Sequence, residues 1–447
     1  MPQIRESFYL LYQTALLPGF KVIARLWWLW LFIFSVVLVK NMIRYWRTLV
    51  YRKDMRWVLL EILIPREVRK SPKAMEQIFS QIYSLRNSAE NWSEKYVEGE
   101  VTAWWSFEIA SFGGEIHLFI RTLAKYKNII ESNIYSVYND AEVVESADYV
   151  DRLPAKTTDI YKMGMDLFGL ELALGREDAY PIKTYPEFEN MEEERSLDPL
   201  SNLIEVLSKI KKEEQLWLQL VVRPVDPAGD YQKKGRKLVK EMKEKTVGKA
   251  KVIGSDKDTV MISRTPGEIE VIETVEKNLA KAAFETVIRY IYLSPRSIFN
   301  RNLPYRGVRG AFAQYSTQNM NYFIPNIPTR TMVWWGKPPF LFPKKREEAR
   351  KQRILQSYRN RALPEEMLIG KIFNSQIFYF DKKSRISVFN TESLATLFHL
   401  PSFLVLTAPF IKRVEAKRLG PPAGLQIFGG EEDVPGLKVS EGNKNGK

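Results

Sequence analysis

What most limits this chain is an apolar run from Val22 to Val39. Only Arg25 and Ser35 break it, and it carries Trp27, Trp28, Trp30, Phe32 and Phe34. Extended through Met42 and Ile43, it approaches the roughly 20 residues a helix needs to cross a bilayer core. Arg25 lies about one turn inside and can reach back to the headgroups, so it does not break the span. A cleaved signal peptide fits poorly, because the run is long, rich in tryptophan and followed by no small-residue cleavage site. The alternative is a buried core helix of a soluble protein, and the flanking charge argues against it. Lys40, Arg44, Arg47, Arg52, Lys53 and Arg56 follow the run against Asp54, whereas Arg5, Lys21 and Arg25 precede or open it. That excess predicts a single-pass anchor in the inner membrane, with lipid as a partner and the C-terminal bulk in the cytoplasm. Phe8 to Leu17, closed by Pro18 and Gly19, is too short to span and is expected to lie at the interface.

Composition narrows the chemistry. The chain has 447 residues, 45% hydrophobic and 27% charged, which is globular rather than disordered and long enough for about two or three folding units. Cysteine is absent, which excludes disulfides, thiolate metal sites and a cysteine nucleophile. His117 and His399 are the two histidines, so a zinc site or a serine–histidine relay would have to be built almost without imidazole. A net charge of +14 favours an anionic neighbour, either lipid headgroups or nucleic acid.

After the basic flank, Val58, Leu60, Ile62 and Ile64 alternate as a strand ended by Pro65. Ser71 and Pro72 supply a helix cap and a first-turn proline, and Met75, Phe79, Ile82 and Leu85 form the helical stripe that follows. Ala103 to Ile109 and Ile116 to Ile120 read as a hairpin about Gly113-Gly114. A second helix carries Tyr126, Ile130, Ile134 and Val137, and Ala141 to Glu145 closes the set as a fourth strand. Strand-helix-strand-strand-helix-strand is the ferredoxin-like, split βαβ order.

A partly similar set follows. It comprises a helix opened by Asp198-Pro199, a strand from Leu216 to Val225 and a basic helix from Tyr231 to Lys245. A polar link (Thr246 to Thr265), a helix from Glu268 to Leu279 and a strand from Phe284 to Leu293 complete it. Beyond Asn300, proline and glycine recur, and a very basic helical stretch runs from Lys344 to Arg361.

The expected class is α+β: one transmembrane helix, two ferredoxin-like units and a Pro/Gly-rich, basic helical C-terminal region. The divisions are an interfacial segment 1–21, a transmembrane helix 22–43, a basic juxtamembrane segment 44–56, a ferredoxin-like domain 57–150, a second α+β domain 151–300, a basic helical and extended region 301–428, and a disordered tail 429–447.

No phosphate-binding loop is present, since the Gly-Lys pairs at 248, 336 and 370 lead into Ala250, Pro338 and Ile372 instead of Ser or Thr, and the pair at 446 has Glu441 where the pattern needs its first glycine. No HExxH pair, calcium loop or G-x-S-x-G elbow occurs. Glu187, Glu189, Glu192, Glu193 and Glu194 cluster, but in a run that reads as a solvated loop rather than a carboxylate pair. No catalytic, cofactor or metal-binding residue is therefore assigned, and the chain reads as a non-enzyme. Lys233, Lys234, Arg236, Lys237, Lys240 and Lys243 form a basic helix face that either contacts nucleic acid or lipid phosphates or is simply solvated. Trp57, Leu59, Trp104, His117 and Phe119 are expected on the outward face of the first sheet. There they either stack bases or form a seam against the second unit or a partner chain, the seam being favoured because the RNA-recognition strand signature is missing.

Several segments together resemble one family. They are Leu59 to Glu67 (LLEILIPRE), Ser71 to Glu76 (SPKAME), Ile129 to Tyr135 (IIESNIY) with Ala141-Glu142 and Asp148 to Val150, Asp178 to Tyr185 (DAYPIKTY), Leu216-Trp217, Phe284 to Tyr292, and Asn390 to Ala395 (NTESLA) with Phe398-His399. The chain resembles the membrane-anchored, non-motor N-terminal region of type IV secretion and conjugative coupling-protein-like ATPases of candidate-phylum bacteria, from the membrane helix to about Ile427. In longer relatives a proline-rich link like Pro421 to Leu425 leads into a HerA/FtsK-type motor, whereas this sequence ends within some twenty residues of it. The resemblance implies a scaffold of a DNA-transfer system working with a separate motor ATPase and other secretion subunits. DNA and a second copy of the chain are further partners to test. The alternative is a membrane-tethered nucleic-acid-binding protein using its basic helices.

Overall fold

The computed structural model describes residues 25–64, 70–89, 91–189, 197–245, 247–250, 259–262, 265–333, 342–365, 367–373 and 384–401. The expected interfacial segment and the tail fall outside these residues, as do Glu192, Glu193 and Glu194.

Helix α1 (Trp27–Asp54) runs unbroken from the apolar run through the basic flank. It is long and apolar enough to cross a membrane. Its large apolar side chains from Trp27 to Val39 stand exposed, whereas Thr48, near its far end, is buried. After it come β1 (Trp57–Leu63), α2 (Lys73–Ser84), β2 (Trp105–Phe112), β3 (Glu115–Leu123), α3 (Lys127–Val137) and β4 (Glu142–Ser146). The four strands lie in the order β4-β1-β3-β2, every neighbour antiparallel. Gly113 and Gly114 both take positive φ, as a two-residue hairpin turn matched to strand twist requires. Ser71 Oγ accepts from the Lys73 amide, so α2 starts where the Ser-Pro signal places it.

The chain continues through α4 (Thr157–Lys162), β5 (Met165–Leu174), α5 (Ser201–Ser208), β6 (Gln215–Pro224) and α6 (Asp230–Lys245). A small antiparallel pair, β7 (Val247–Ala250) and β8 (Thr259–Ile262), stands where the sequence reads as a plain polar link. Next are α7 (Pro266–Ala280), β9 (Ala283–Pro295), α8 (Val308–Ala313) and β10 (Phe323–Pro325). The main-sheet strands among these lie in the order β10-β5-β9-β6, the same fourth-first-third-second order as in the first half. Pairing of Trp105–Phe112 with Val222–Gln215 joins β2 to β6, so the halves meet edge to edge. The chain ends its described course with α9 (Pro343–Arg359), α10 (Leu368–Phe373), β11 (Ser387–Asn390) and α11 (Thr391–Leu397). β11 pairs with the start of β9, which completes a nine-stranded antiparallel sheet.

One face of this sheet carries Leu60, Ile62, Phe107, Ile109, Leu118, Ile120, Leu218, Leu220, Ile288, Tyr290 and Leu170. It is covered by the apolar stripes of α2, α3, α5, α8 and α11, through residues such as Phe79, Ile134, Leu203, Phe312 and Leu394. The other face carries Leu59, Phe119, Ala110, Trp217, Ile291 and Leu167, and lies under Tyr149, Ile160 and the Ile354, Leu355 and Tyr358 side chains of α9. With both faces buried, the strands lose the apolar-polar alternation of a one-sided sheet. For that reason β5 (MDLFGLELAL) carries no strand signal that distinguishes it from a helix segment.

Candidate functional site

The basic face of α6 stays in solvent. Lys233, Lys234, Arg236, Lys237, Lys240 and Lys243 are all exposed, and part of their charge is answered locally. Lys237 lies 3.8 Å from Glu241 and Lys240 3.7 Å from Glu244, while Lys243 pairs with Glu276 on α7. The basic α9 is used differently. Arg346, Arg350 and Lys351 are buried, Lys351 pairs with Asp166 at 2.7 Å, and Arg350 donates to the Arg330 carbonyl at 3.0 Å. Glu187 accepts in a capping box with Thr184, and Glu189 accepts from Ser71. These two carboxylates serve local structure.

The four aromatic candidates of the first sheet separate into two groups. Trp57 and Trp104 pack with ring centroids 4.8 Å apart, and the Arg121 guanidinium lies 4.2 Å over Trp57. His117 stacks on Phe119, Phe119 stacks on Tyr149, and His117 Nδ1 sits 2.7 Å from Glu61 Oε1. The second group is covered by the segment around Tyr149 and by α9, while the two halves of the sheet meet at β2–β6. His399 is buried, its Nδ1 donating to the Ala395 carbonyl and its Nε2 lying 3.0 Å from Asp198.

Beneath α9 lies a feature the sequence does not announce. Glu171, Arg289, Gln219, Glu108, Phe119 and Glu61 face one another in register across β5, β9, β6, β2, β3 and β1. Glu108 and Arg361 are 0% and 1% exposed, respectively. Arg361 Nε and Nη2 grip the two Glu108 oxygens at 2.9 and 3.1 Å, and Nη1 reaches Asp148 at 2.6 Å. Ser106, Tyr149 and Gln219 also donate to Glu108, at 2.6, 2.6 and 3.0 Å. Burial alone would raise the Glu108 carboxyl, but the Arg361 charge and these donors hold it below the usual carboxylate range. Arg289 Nη2 donates to the Ala362 carbonyl at 2.6 Å. The network thus pins the end of α9 to the sheet, in a structural role.

A cavity of about 720 Å³ opens where α1 leaves its apolar run. Arg44, Thr48 and Arg52, four residues apart, line it from one face of α1, as the helical repeat dictates. Lys53, Lys95, Trp57, Trp104, Arg121, Arg223 and Arg359 complete its basic and aromatic wall. Among the described residues, its acids are Glu100 and Glu365. Arg52 Nη1 pairs with Glu365 at 2.8 Å, and Tyr51 and Asn87 both point to Glu100. α1 is seated here closely. Gly99, at φ +72°, lies where a Cβ would come within 2.4 Å of the Arg47 backbone, so only glycine admits this approach. Burial, and repulsion from Arg361, pull the Arg121 guanidinium down to about 10. The arrangement suits an anion with several acceptor oxygens. Trp57 and Trp104, with the juxtamembrane Arg44, Arg52 and Lys53, are the sequence signal for this place; Lys95, Arg121, Arg223 and Arg359 come from segments too far apart to be linked by spacing.

Among the described residues, no group of three His, Asp or Glu side chains is placed to hold a metal ion. Residues 48–408 match the family described as a domain of unknown function, DUF8128, so the chain belongs to that family. No curated protein matches it.

Proposed function

We propose that this DUF8128 member is a single-pass inner-membrane protein whose cytoplasmic α+β body is a non-enzymatic platform in a type IV secretion or conjugation-like DNA-transfer system, working with a separate HerA/FtsK-type ATPase. The observation that carries this reading is the build of α1. One unbroken helix combines the exposed apolar stretch with a basic end seated on the body, which would hold the body at a fixed attitude under the bilayer. The resemblance of its sequence segments to coupling-protein-like chains and the lack of a phosphate-binding loop in this sequence support a non-motor part. In this reading each half of the sheet is a ferredoxin-like unit, the second with α6, β7, β8 and α7 inserted between its second and third strands. The repeated strand order and the symmetric placing of Glu61 and Glu171 support such a duplication. Affinity purification of the full chain from native membranes tests the platform. Recovery of a HerA/FtsK-type ATPase is expected, and a membrane complex without one overturns it. Orientation is tested by external protease on spheroplasts, which should spare the C-terminal bulk.

Nucleic-acid binding through α6 is the weaker reading, because its lysines are partly neutralised by Glu241, Glu244 and Glu276. Direct binding would weaken steeply with salt, with a log–log slope of about −0.7 to −0.9 per phosphate contacted.

A further inference from the structure

Resting on the anchored reading of α1, we propose that the basic cavity at its cytoplasmic end binds the phosphate-bearing headgroup of an anionic phospholipid from the facing leaflet. Position comes first. The headgroup layer adds roughly 5–8 Å beyond the hydrocarbon core. Arg44 follows Ile43, the last residue of the extended apolar run, so it stands at that level. Arg52 lies two helical turns deeper, roughly 12 Å along α1 at 1.5 Å per residue. The cavity therefore opens in the layer of lipid phosphates and closes in the body below.

Its chemistry fits the same occupant. Trp104 Nε1 is a buried donor with no hydrogen-bond partner, and Arg52 Nε is another, although Arg52 also pairs with Glu365. Arg121 has its guanidinium over the Trp57 ring, and no ion pair to a described carboxylate holds it. An unpaired buried donor is costly, and a burial-weakened guanidinium gains most from an anion. A phosphodiester answers all three, because it offers several acceptor oxygens and arginine grips it with two parallel bonds. A space of about 720 Å³ also has room for a headgroup beyond the phosphate. A nucleic acid would have to enter between bilayer and body, and Trp57 is already covered by Arg121 on one face.

The test uses the full chain reconstituted into vesicles of phosphatidylcholine alone and of phosphatidylcholine with a minority of phosphatidylglycerol. Native mass spectrometry after detergent extraction then reads the bound lipid. Retention of phosphatidylglycerol over phosphatidylcholine is expected, with at least about a tenfold loss of that preference in Arg44→Gln/Arg121→Gln. Arg44→Gln with Lys53→Gln, changes on the open wall, guards against a folding defect and should lower the preference less. Glycerol 3-phosphate and inorganic phosphate, offered in excess, should fail to displace the lipid; displacement would assign the site to a free phosphate and overturn the proposal. Binding of an oligonucleotide that phosphatidylglycerol does not compete away overturns it as well. Equal retention of both lipids, or wild-type preference in both variants, sinks the proposal alone. Failure to enter pure phosphatidylcholine vesicles sinks the anchored reading, and the proposal with it.

Discussion

The strands of the central sheet present Phe107, Ile120, Leu218 and Ile288 to one side and Glu108, Phe119, Gln219 and Arg289 to the other, at adjacent positions of the same segments. The first side is closed by amphipathic helices whose stripes match it in kind. The second is closed by α9, a helix so basic that it looks solvent-bound, and its fit adds buried, paired polar groups to the apolar contacts of Ile354, Leu355 and Tyr358. Apolar packing is forgiving of exchanges that preserve volume, whereas a buried ion pair is intolerant of losing one member.

The largest effect should come from breaking that pair. Arg361→Met leaves Glu108 charged in a dry site and is expected to cost about 3–5 kcal/mol, read by urea unfolding of the full chain in detergent with tryptophan fluorescence. Adding Glu108→Leu should recover much of the loss, since a hydrophobic replacement of a whole buried pair is often near neutral. If the double variant is as weak as the single one, the polar face is held by geometry that the pair does not supply.

Legibility in the sequence follows the same divide. The stripes of α2 and α3, the Gly113-Gly114 hairpin and the strands from Trp57, Leu216 and Phe284 can all be read, because each is a local periodicity or turn. β5 cannot, since Asp166, Gly169 and Glu171 break an otherwise apolar run that is buried on both faces. Nor does the spacing around Arg361 or Glu108 show that two positions 253 residues apart fold back to join. Of the cavity, Trp57, Trp104 and the juxtamembrane Arg44, Arg52 and Lys53 are foreshadowed, but not that they converge; α1, the turn at Gly99 and the chain after α9 meet there through long-range contacts.

Two carboxyls, the buried Glu108 and the half-buried Asp178, should give opposite pH slopes. Glu108 is held below its unfolded value, so its contribution is present above about pH 4.3 and is lost as the pH falls through its folded pKa. Asp178 is pushed up to about 6 by burial, against weaker pulls from the Val388 amide, Arg385 and Lys234. Its folded form binds the proton more tightly, so it penalises the fold increasingly as pH rises from about 4 to about 6. Asp178→Asn should therefore gain about 2 kcal/mol relative to the parent above pH 6.5 and little near pH 4. Thermal unfolding across that range checks it, and a gain that does not change with pH would show that the carboxyl is solvated.

The seat of α9 can be probed without touching charge. A Cβ on Gly169 would meet Ile354 Cδ1 at 2.9 Å and Cγ2 at 3.0 Å. Gly169→Ala should lift α9 slightly and cost about 1–2 kcal/mol, as overpacking does, with Ile354→Val restoring part of it. Measured unfolding midpoints that ignore the substitution would mean that the helix adjusts freely over β5.

The smallest effect belongs to the apolar face. Ile120 is fully buried between Phe107 on β2 and Leu60 on β1. Ile120→Val removes one methylene, leaves no polar group unpaired, and should cost only about 0.5–1.5 kcal/mol by the same unfolding assay. Its use lies in combination with Arg361→Met. The two side chains are on opposite faces and share no partner, so their losses should add to within about 0.5 kcal/mol. A larger departure would mean that a change in one covering layer is felt through the sheet by the other, and that the ion pair orders the strands themselves as well as the end of α9.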